Sequence, residues 1–293
     1  PMASGIQTFD GGEGNDRLVI DDDLNVVLTQ NGFTLSTSPS TLHKTISIEE
    51  AELAGGNAAN TFNAEAFSGY TWMFGRGGND TLIGGTNADV MLGGTGDNTY
   101  QGNNGNDTVV MDPASGSNLF TELANAGADH IDLTAVTERL RLAVGANDLP
   151  SFNTTRGYVL SISAVQGQVE SITLGQGDDI TDITPAINSG ITLDGYGGVD
   201  ALDYSGQTNN SPWLTAVAVD LLNRTASGMA AVDRIENIFG GNVSDTLVGE
   251  NGPNLIRGNL GNDSINGMGG NDILEGSSGN DSLYGGDGND QLY

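Results

Sequence analysis

A nine-residue repeat dominates this sequence and limits the folds that it can adopt. From Gly258 to Tyr293 the chain reads GNLGNDSIN, GMGGNDILE, GSSGNDSLY and GGDGNDQLY. Each nonapeptide begins with glycine, carries Asp at position six and has an aliphatic residue at position eight. A unit this short cannot bury its own apolar side chain, so such units fold only when they are stacked on one another.

Twelve copies of this nonapeptide occur in the chain. Two tracts, residues 75–110 and 240–293, keep the register without interruption, and isolated copies occupy Gly11–Val19 and Gly195–Asp203. Position eight is apolar in every copy. Position six is Asp in ten copies and Asn in two: Asp16, Asp80, Asp89, Asn98, Asp107, Asp200, Asp245, Asn254, Asp263, Asp272, Asp281 and Asp290. Two columns that persist through twelve copies indicate a repeat fold rather than a chance match.

The repeat positions have a direct structural meaning. Glycines at positions one, two and four allow the tight turns and positive φ angles that bring loop carbonyls towards a common centre. Positions seven to nine form a short strand whose middle side chain faces inward. Two nonapeptides placed back to back form a flattened coil, and coils stacked about 4.8 Å apart pair their strands in parallel. The sequence therefore predicts an all-β solenoid, a parallel β-roll or β-helix.

The aligned loops offer only oxygen ligands. The chain contains no Cys and two His, His43 and His130, and its 38 acidic residues against 9 basic ones give a net charge of −29. Carboxylates and carbonyls bind hard cations, and Ca²⁺ accepts about six to eight such oxygens in flexible geometry. The negative charge disfavours nucleic acid and anionic lipid as partners. No run of about 18 apolar residues predicts a membrane span.

These nonapeptides resemble the glycine-rich repeats of the RTX (repeats in toxin) family, whose pattern is GGxGxDx followed by an apolar residue and any residue. The resemblance implies a right-handed parallel β-roll with one Ca²⁺ between the loops of repeats two apart. It implies that the twelve position-six side chains and the loop carbonyls are the ligands. It also implies type I secretion by Gram-negative bacteria, folding on calcium binding outside the cell, and a secreted or cell-surface location.

By position, the resemblance arranges the ligands in columns. The four expected columns are Asp245–Asp263–Asp281, Asn254–Asp272–Asp290, Asp80–Asn98 and Asp89–Asp107. Asn98 and Asn254 bring no charge, so their sites are expected to be weaker. Two further departures affect the loops, because Pro253 lacks a backbone donor and Asn87 replaces the glycine of position four.

Outside the tracts the repeat degenerates. We interpret the chain as one solenoid whose coils widen between the tracts, with separate globular domains as the alternative. YVLSISAV and TAVAVDLL alternate with the period of two that is typical of strands, and IEEAELAG, residues 48–55, is the one candidate helix. The predicted division is a divergent module with one isolated repeat (1–74), a regular tract (75–110), a divergent solenoid module (111–194), a divergent module with one isolated repeat (195–239) and a regular tract (240–293).

We expect no catalysis, since the chain lacks the HExxH, GxSxG and P-loop motifs. One alternative is an adhesive module of a large surface protein that binds extracellular polysaccharide through Trp72 or Trp213. The other is calcium-dependent self-processing at Asp112–Pro113, which resembles the cleavage site of some RTX proteins. No residue follows to cover Leu292, so we interpret the chain as a segment of a longer roll or one that is capped by a partner.

Overall fold

The computed structural model describes residues 7–36, 38–111, 118–121, 127–137, 139–144, 158–162, 169–183, 190–206 and 215–293. In these residues the regular secondary structure consists of strands, with no helix, and none that could span a membrane. The all-β prediction is therefore confirmed. The chain divides into two compact units, Pro1–Asp132 and Leu133–Tyr293, and the division into five segments stays a prediction.

The first unit is built from fourteen strands in the residues that the structure describes. They are β1 (Thr8–Asp10), β2 (Arg17–Asp21), β3 (Val26–Thr29), β4 (Gly32–Leu35), β5 (Ser38–Ile46), β6 (Glu50–Ala54), β7 (Thr61–Ala66), β8 (Tyr70–Phe74), β9 (Thr81–Ile83), β10 (Val90–Leu92), β11 (Thr99–Gln101), β12 (Thr108–Val110), β13 (Leu119–Thr121) and β14 (His130–Asp132).

Two sheets share these strands. Sheet 1 has the order β1-β5-β4-β3-β7-β9-β11-β13, and within this unit the strands of sheet 2 have the order β2-β6-β8-β10-β12-β14. From β8 to β12, consecutive strands alternate between the two sheets, so each strand pairs in parallel with the strands of repeats two apart. This alternation is the flattened coil of a β-roll. Only the β3–β4 and β4–β5 pairs are antiparallel among the pairs described in this unit.

The second unit repeats this architecture in sixteen described strands. They are β15 (Leu140–Val144), β16 (Tyr158–Ile162), β17 (Ser171–Thr173), β18 (Ile180–Ile183), β19 (Thr192–Asp194), β20 (Ala201–Asp203), β21 (Ala218–Asp220), β22 (Thr225–Ala226), β23 (Ala231–Asp233), β24 (Asn237–Phe239), β25 (Thr246–Val248), β26 (Leu255–Arg257), β27 (Ser264–Asn266), β28 (Ile273–Glu275), β29 (Ser282–Tyr284) and β30 (Gln291–Leu292).

Parallel pairing also dominates the second unit. Its sheets have the orders β16-β15-β18-β20-β24-β26-β28-β30 and β22-β21-β25-β27-β29, and β17, β19 and β23 lie side by side. Among the described pairs of this unit, only β21–β22 is antiparallel. In the second tract the strands again alternate between the two larger sheets, which places repeats two apart in direct register.

The core of each tract consists of the position-eight side chains of its two sheets. Met91 and Val109 are opposite one another in β10 and β12, and both are fully buried. Ile265 is equally buried in the second tract, whereas Leu292 in β30 is 48% exposed. Tyr100 also occupies position eight, on β11 of the other sheet, and its buried hydroxyl accepts a hydrogen bond from the backbone N–H of Gly93. Each coil therefore depends on the coil above it and the coil below it for burial of its two position-eight side chains.

The prediction of a helix over residues 48–55 is wrong. This segment forms β6, which pairs in parallel with β2 and β8. Ala51 and Leu53 are buried, while Glu50 and Glu52 between them are partly exposed, so the period is two. The good helix propensity of Glu, Ala and Leu is overridden because a strand partner lies on each side.

Candidate calcium sites

Position-six side chains join each coil to the coil on which it stacks. The backbone N–H of Asp245 donates to Oδ1 of Asp263 at 2.8 Å, and that of Asp263 donates to Oδ1 of Asp281 at 2.9 Å. In the neighbouring column, the N–H groups of Asn254 and Asp272 donate to the next Oδ1 at 2.9 and 3.0 Å. One oxygen of each carboxylate is thus used for the link between coils.

The first tract shows the same links. The N–H of Asp80 donates to Oδ1 of Asn98 at 2.9 Å, and the N–H of Asp89 donates to Oδ1 of Asp107 at 2.7 Å. All four columns expected from the sequence are therefore assembled by the fold.

The columns also contain residues that the repeat pattern missed. Oδ1 of Asp129 accepts the N–H of Asp107, Oδ1 of Asp179 accepts that of Leu140, and Oε2 of Glu236 accepts that of Asp200. Each lies two residues before an inward-facing side chain, as position six lies before position eight. That spacing was the available signal, but each of these segments lacks the glycine of position one with which a nonapeptide begins.

Two backbone conformations divide the twelve nonapeptide loops, all of which lie within the described residues. In nine of them, position two has φ between 66° and 102° and position four has φ between 103° and 148°. We call these the open loops. Six have a side chain at position two, where a positive φ costs about 1–2 kcal/mol. The open loops carry Asp16, Asp80, Asn98, Asp107, Asp200, Asp263, Asp272, Asp281 and Asp290 at position six.

Open loops leave carboxylate oxygens without donors. Oδ2 of Asp16, Asp80, Asp263 and Asp272 is buried and has no hydrogen-bond partner among the described residues. Asp80, Asp263 and Asp272 are no more than 2% exposed as whole residues. Burying an unpaired carboxylate oxygen is strongly unfavourable, and in proteins a bound cation commonly offsets that cost.

Asn98 shows what such an oxygen faces. Its Nδ2 donates to the carbonyl oxygens of Gly94 and Gly96, positions two and four of the same open loop, at 3.2 and 3.3 Å. Where Asp replaces Asn in an open loop, the side chain brings an acceptor where Asn98 brings a donor. A carboxylate oxygen and two carbonyl oxygens without a donor fit a hard cation such as Ca²⁺.

Several carboxyl groups in the columns have raised pKa values, because they are buried without enough positive charge nearby to offset the burial. Burial, followed by the neighbouring carboxylates Asp179 and Glu236, raises the pKa of Asp200 to about 8. Burial also raises the pKa of Asp179 and Asp245 to about 6. The ionised state of these columns is therefore unfavourable unless a cation is bound.

In the other three loops φ is not positive at position two or at position four. We call these the closed loops. Oδ2 of Asp89 accepts the N–H of Gly85 at 2.6 Å, and Oδ2 of Asp245 accepts that of Gly241 at 2.6 Å. In the third, Oδ1 of Asn254 accepts the N–H of Glu250 at 2.9 Å. The position-two N–H of a closed loop thus serves the oxygen that remains unpaired in the open loops of Asp16, Asp80, Asp263 and Asp272.

Other sequence candidates lie away from these loops or outside the described residues. Trp72 lies on β8 with the guanidinium carbon of Arg17 4.0 Å above its ring, so that this face of the indole is covered. His43 is buried and stacked on Phe33. Trp213 and the Asp112–Pro113 bond lie outside the described residues.

No group of three or more His, Cys, Asp or Glu side chains converges in the described part of the chain. Sites built from one or two carboxylates and several backbone carbonyls would not form such a group, and the open loops of Asp263 and Asp272 offer ligands of that kind.

Comparison with known proteins agrees with the geometry. The model of the RTX calcium-binding nonapeptide repeat (four copies) matches residues 3–19, 74–109, 239–274 and 266–293. These ranges contain eleven of the twelve nonapeptides, at least in large part, but not the isolated copy at Gly195–Asp203. No curated protein matches the chain.

Proposed function

Because this chain carries the calcium-binding nonapeptide repeats of the RTX family, we propose that it is the calcium-dependent structural segment of a secreted or cell-surface bacterial protein. The repeats make it a calcium-binding β-roll. Its coils fold when calcium binds, and it acts without catalysis. The observation that carries this proposal is the set of buried, unpaired Oδ2 atoms in the open loops.

The folding mechanism follows from charge. The chain has a net charge of −29, and its columns place carboxylates on successive coils. Without a cation these groups repel one another and lose hydration on burial, which favours the expanded chain. Ca²⁺ supplies the missing positive charge when it is held by Asp side chains such as Asp263 and Asp272 together with loop carbonyls.

Ligand binding to the folded state alone stabilises it by mass action, by about 2.7 kcal/mol per site at a concentration of 100 Kd. Extracellular calcium modules bind with Kd values of about 10⁻⁴ to 10⁻³ M. A chain in this range stays expanded where calcium is scarce and folds where it is plentiful. This behaviour suits export of an unfolded chain, and we propose type I secretion as the route on the basis of the repeats.

Circular dichroism during a calcium titration tests the proposal. We expect the β-sheet signal to appear with calcium, to disappear with excess chelator and to return when calcium is restored. Magnesium at the same concentration serves as the control, because it requires near-octahedral geometry and loses its waters reluctantly. A chain that is equally folded in chelator and in calcium would contradict the proposal.

A further inference from the structure

We infer that the three closed loops bind no calcium, so that Asp89, Asp245 and Asn254 are not metal ligands although they occupy the ligand position of the repeat. This inference rests on the proposed calcium binding of the open loops. It divides the twelve nonapeptides into two classes that the sequence pattern treats as one.

The first reason is that each closed loop already supplies its position-six side chain with donors. In the loop of Asp89, Oδ2 accepts the N–H of Gly85 at 2.6 Å, and Oδ1 accepts both the N–H and the hydroxyl of Thr71 at 2.8 and 2.7 Å. These are short hydrogen bonds to an ionised acceptor, which are roughly twice as strong as neutral ones. A cation at Oδ2 would have to displace the N–H of Gly85.

Asp245 and Asn254 are served in the same way. Asp245 accepts the N–H of Val217 at Oδ1 and the N–H of Gly241 at Oδ2, at 2.7 and 2.6 Å. Asn254 accepts the N–H of Glu250 and donates its Nδ2 to the carbonyl of Glu236 at 2.6 Å. Both polar atoms of the Asn254 amide are therefore in use.

The second reason is that a side chain from the next coil occupies a carbonyl of the closed loop. Nδ2 of Asn103 donates to the carbonyl of Gly84 at 2.8 Å, and Nδ2 of Asn259 donates to that of Gly240 at 2.7 Å. Gly84 and Gly240 are position one of the closed loops of Asp89 and Asp245. Both donors stand at position two of an open loop, where φ is 72° and 71°.

A degenerate loop follows the same scheme. In the loop from Gly55 to Asn60, the N–H of Gly56 donates to Oδ1 of Asn60 at 3.3 Å, and the guanidinium of Arg76 donates to the carbonyl of Gly55 at 2.8 Å. Arg76 also stands at position two of an open loop, with φ of 72°. At this carbonyl oxygen, a side-chain donor from the open loop therefore occupies the place that a cation would need.

The amino-acid sequence explains which loops close. The open loops have glycine with positive φ at position four, whereas the closed loops have Asn87, Val243 or Gly252 there, none with positive φ. Valine is strained at positive φ because it is β-branched, and Gly252 precedes Pro253, which favours an extended conformation. Asn87 instead donates its Nδ2 to the carbonyl of Ser68 at 2.7 Å.

In three of the four columns of the regular tracts a closed loop precedes the open loops, and in the fourth the degenerate loop of Asn60 precedes them. The columns run Asn60–Asp80–Asn98, Asp89–Asp107, Asp245–Asp263–Asp281 and Asn254–Asp272–Asp290. Each column of open loops is therefore stacked on a loop that is complete without an ion.

Calcium stoichiometry of the full chain tests the inference. The variants are Asp89→Asn and Asp245→Asn in closed loops, with Asp263→Asn and Asp272→Asn as their matched open-loop counterparts. Bound calcium is measured by equilibrium dialysis at saturating calcium. We expect the closed-loop variants to retain the full number of ions and each open-loop variant to lose at least one.

A loss of one or more ions in folded Asp89→Asn or Asp245→Asn would overturn the inference while leaving calcium binding intact. A wild-type chain that binds no calcium would contradict the proposed function as well. If a variant does not fold, anomalous scattering from crystals of the calcium-bound wild-type chain decides the matter. Ions should lie beside Asp263 and Asp272, and an ion within about 2.6 Å of a side-chain oxygen of Asp89, Asp245 or Asn254 would overturn the inference.

Discussion

The backbone N–H of Asp245 donates a 2.8 Å hydrogen bond to Oδ1 of Asp263, which lies 18 residues later and on the next coil of the same column. Asp263 therefore has two roles. Its Oδ1 links two coils, and its Oδ2 is buried without a hydrogen-bond partner in the described residues. At Asn98 the side-chain oxygen preserves the first role, and an amide takes the place of the second oxygen. At Asn254 the roles are exchanged, since Oδ1 accepts the N–H of Glu250 in its own loop and Nδ2 donates to the carbonyl of Glu236 on the preceding coil.

Replacing Asn98 by Asp should create a calcium site. The donor that serves the carbonyls of Gly94 and Gly96 would become an acceptor. We expect the variant to bind at least one more calcium ion than the wild type, as measured by equilibrium dialysis. In chelator we expect it to melt at a lower temperature than the wild type. Asn31→Asp adds the same charge at an exposed turn and should not change the number of ions. An unchanged number in Asn98→Asp would show that the open-loop carbonyls do not form a site.

Replacing Gly267 by Ala should disrupt an open loop. A Cβ at this position would press against Oδ2 of Asp272 and lie 2.6 Å from the carbonyl oxygen of Gly285. Because overpacking typically costs about 1–3 kcal/mol, we expect a loss of that order in calcium-bound stability and weaker calcium binding. Chemical denaturation at saturating calcium measures the first effect and a calcium titration the second. Gly206→Ala is the control, since a Cβ there meets no atom within 4 Å; equal effects in the two variants would contradict this reading.

Truncation of position-eight side chains should have very different effects along the second tract. Leu274 is fully buried and Leu292 is 48% exposed. We expect Leu274→Ala to lower the free energy of unfolding by about 2–5 kcal/mol, and Leu292→Ala to lower it by less than about 1 kcal/mol. Urea denaturation in calcium measures both. Comparable losses would mean that the last coil is covered in solution.

The pH dependence of stability should change sign with calcium. In the calcium-free chain the pKa of Asp200 is raised to about 8 and those of Asp179 and Asp245 to about 6, against an ordinary value of 3.8. Groups with raised pKa values contribute stability that is fully present below their unfolded pKa and is lost as the pH rises through the folded pKa. The calcium-free fold should therefore weaken between about pH 4 and pH 8.

Calcium binds the ionised carboxylates, so the calcium-bound chain should instead become more stable as the pH rises over the same range. Thermal melting at several pH values, with and without calcium, measures both trends. Asp200→Asn should reduce the calcium-free trend above pH 6, whereas Asp22→Asn, a change at an exposed bend, should leave it intact. A calcium-free chain that gains stability with rising pH would contradict this account.

Much of the fold could be predicted from the sequence because the repeat acts locally. The spacing between Asp263 and Ile265 recurs in every nonapeptide, and translation of one unit generates the parallel sheets, the buried position-eight side chains and the columns. The helix predicted over residues 48–55 failed where the repeat is absent, because the strand partners of β6 come from β2 and β8. Local propensity contains no information about such partners.

The sequence by itself determined that this protein stacks short coils and offers oxygen ligands along their loops, since glycine, Asp and an aliphatic residue at fixed positions have those consequences wherever they occur. Only the tertiary structure showed that the loops divide into open and closed ones, and which donors each position-six side chain meets. Asp245 and Asp263 occupy the same position of the same repeat, yet one oxygen of Asp245 is taken by Gly241, and its loop carbonyl is taken by Asn259 from the next coil. The donor to that carbonyl lies 19 residues away in the sequence, and a nine-residue pattern cannot contain it.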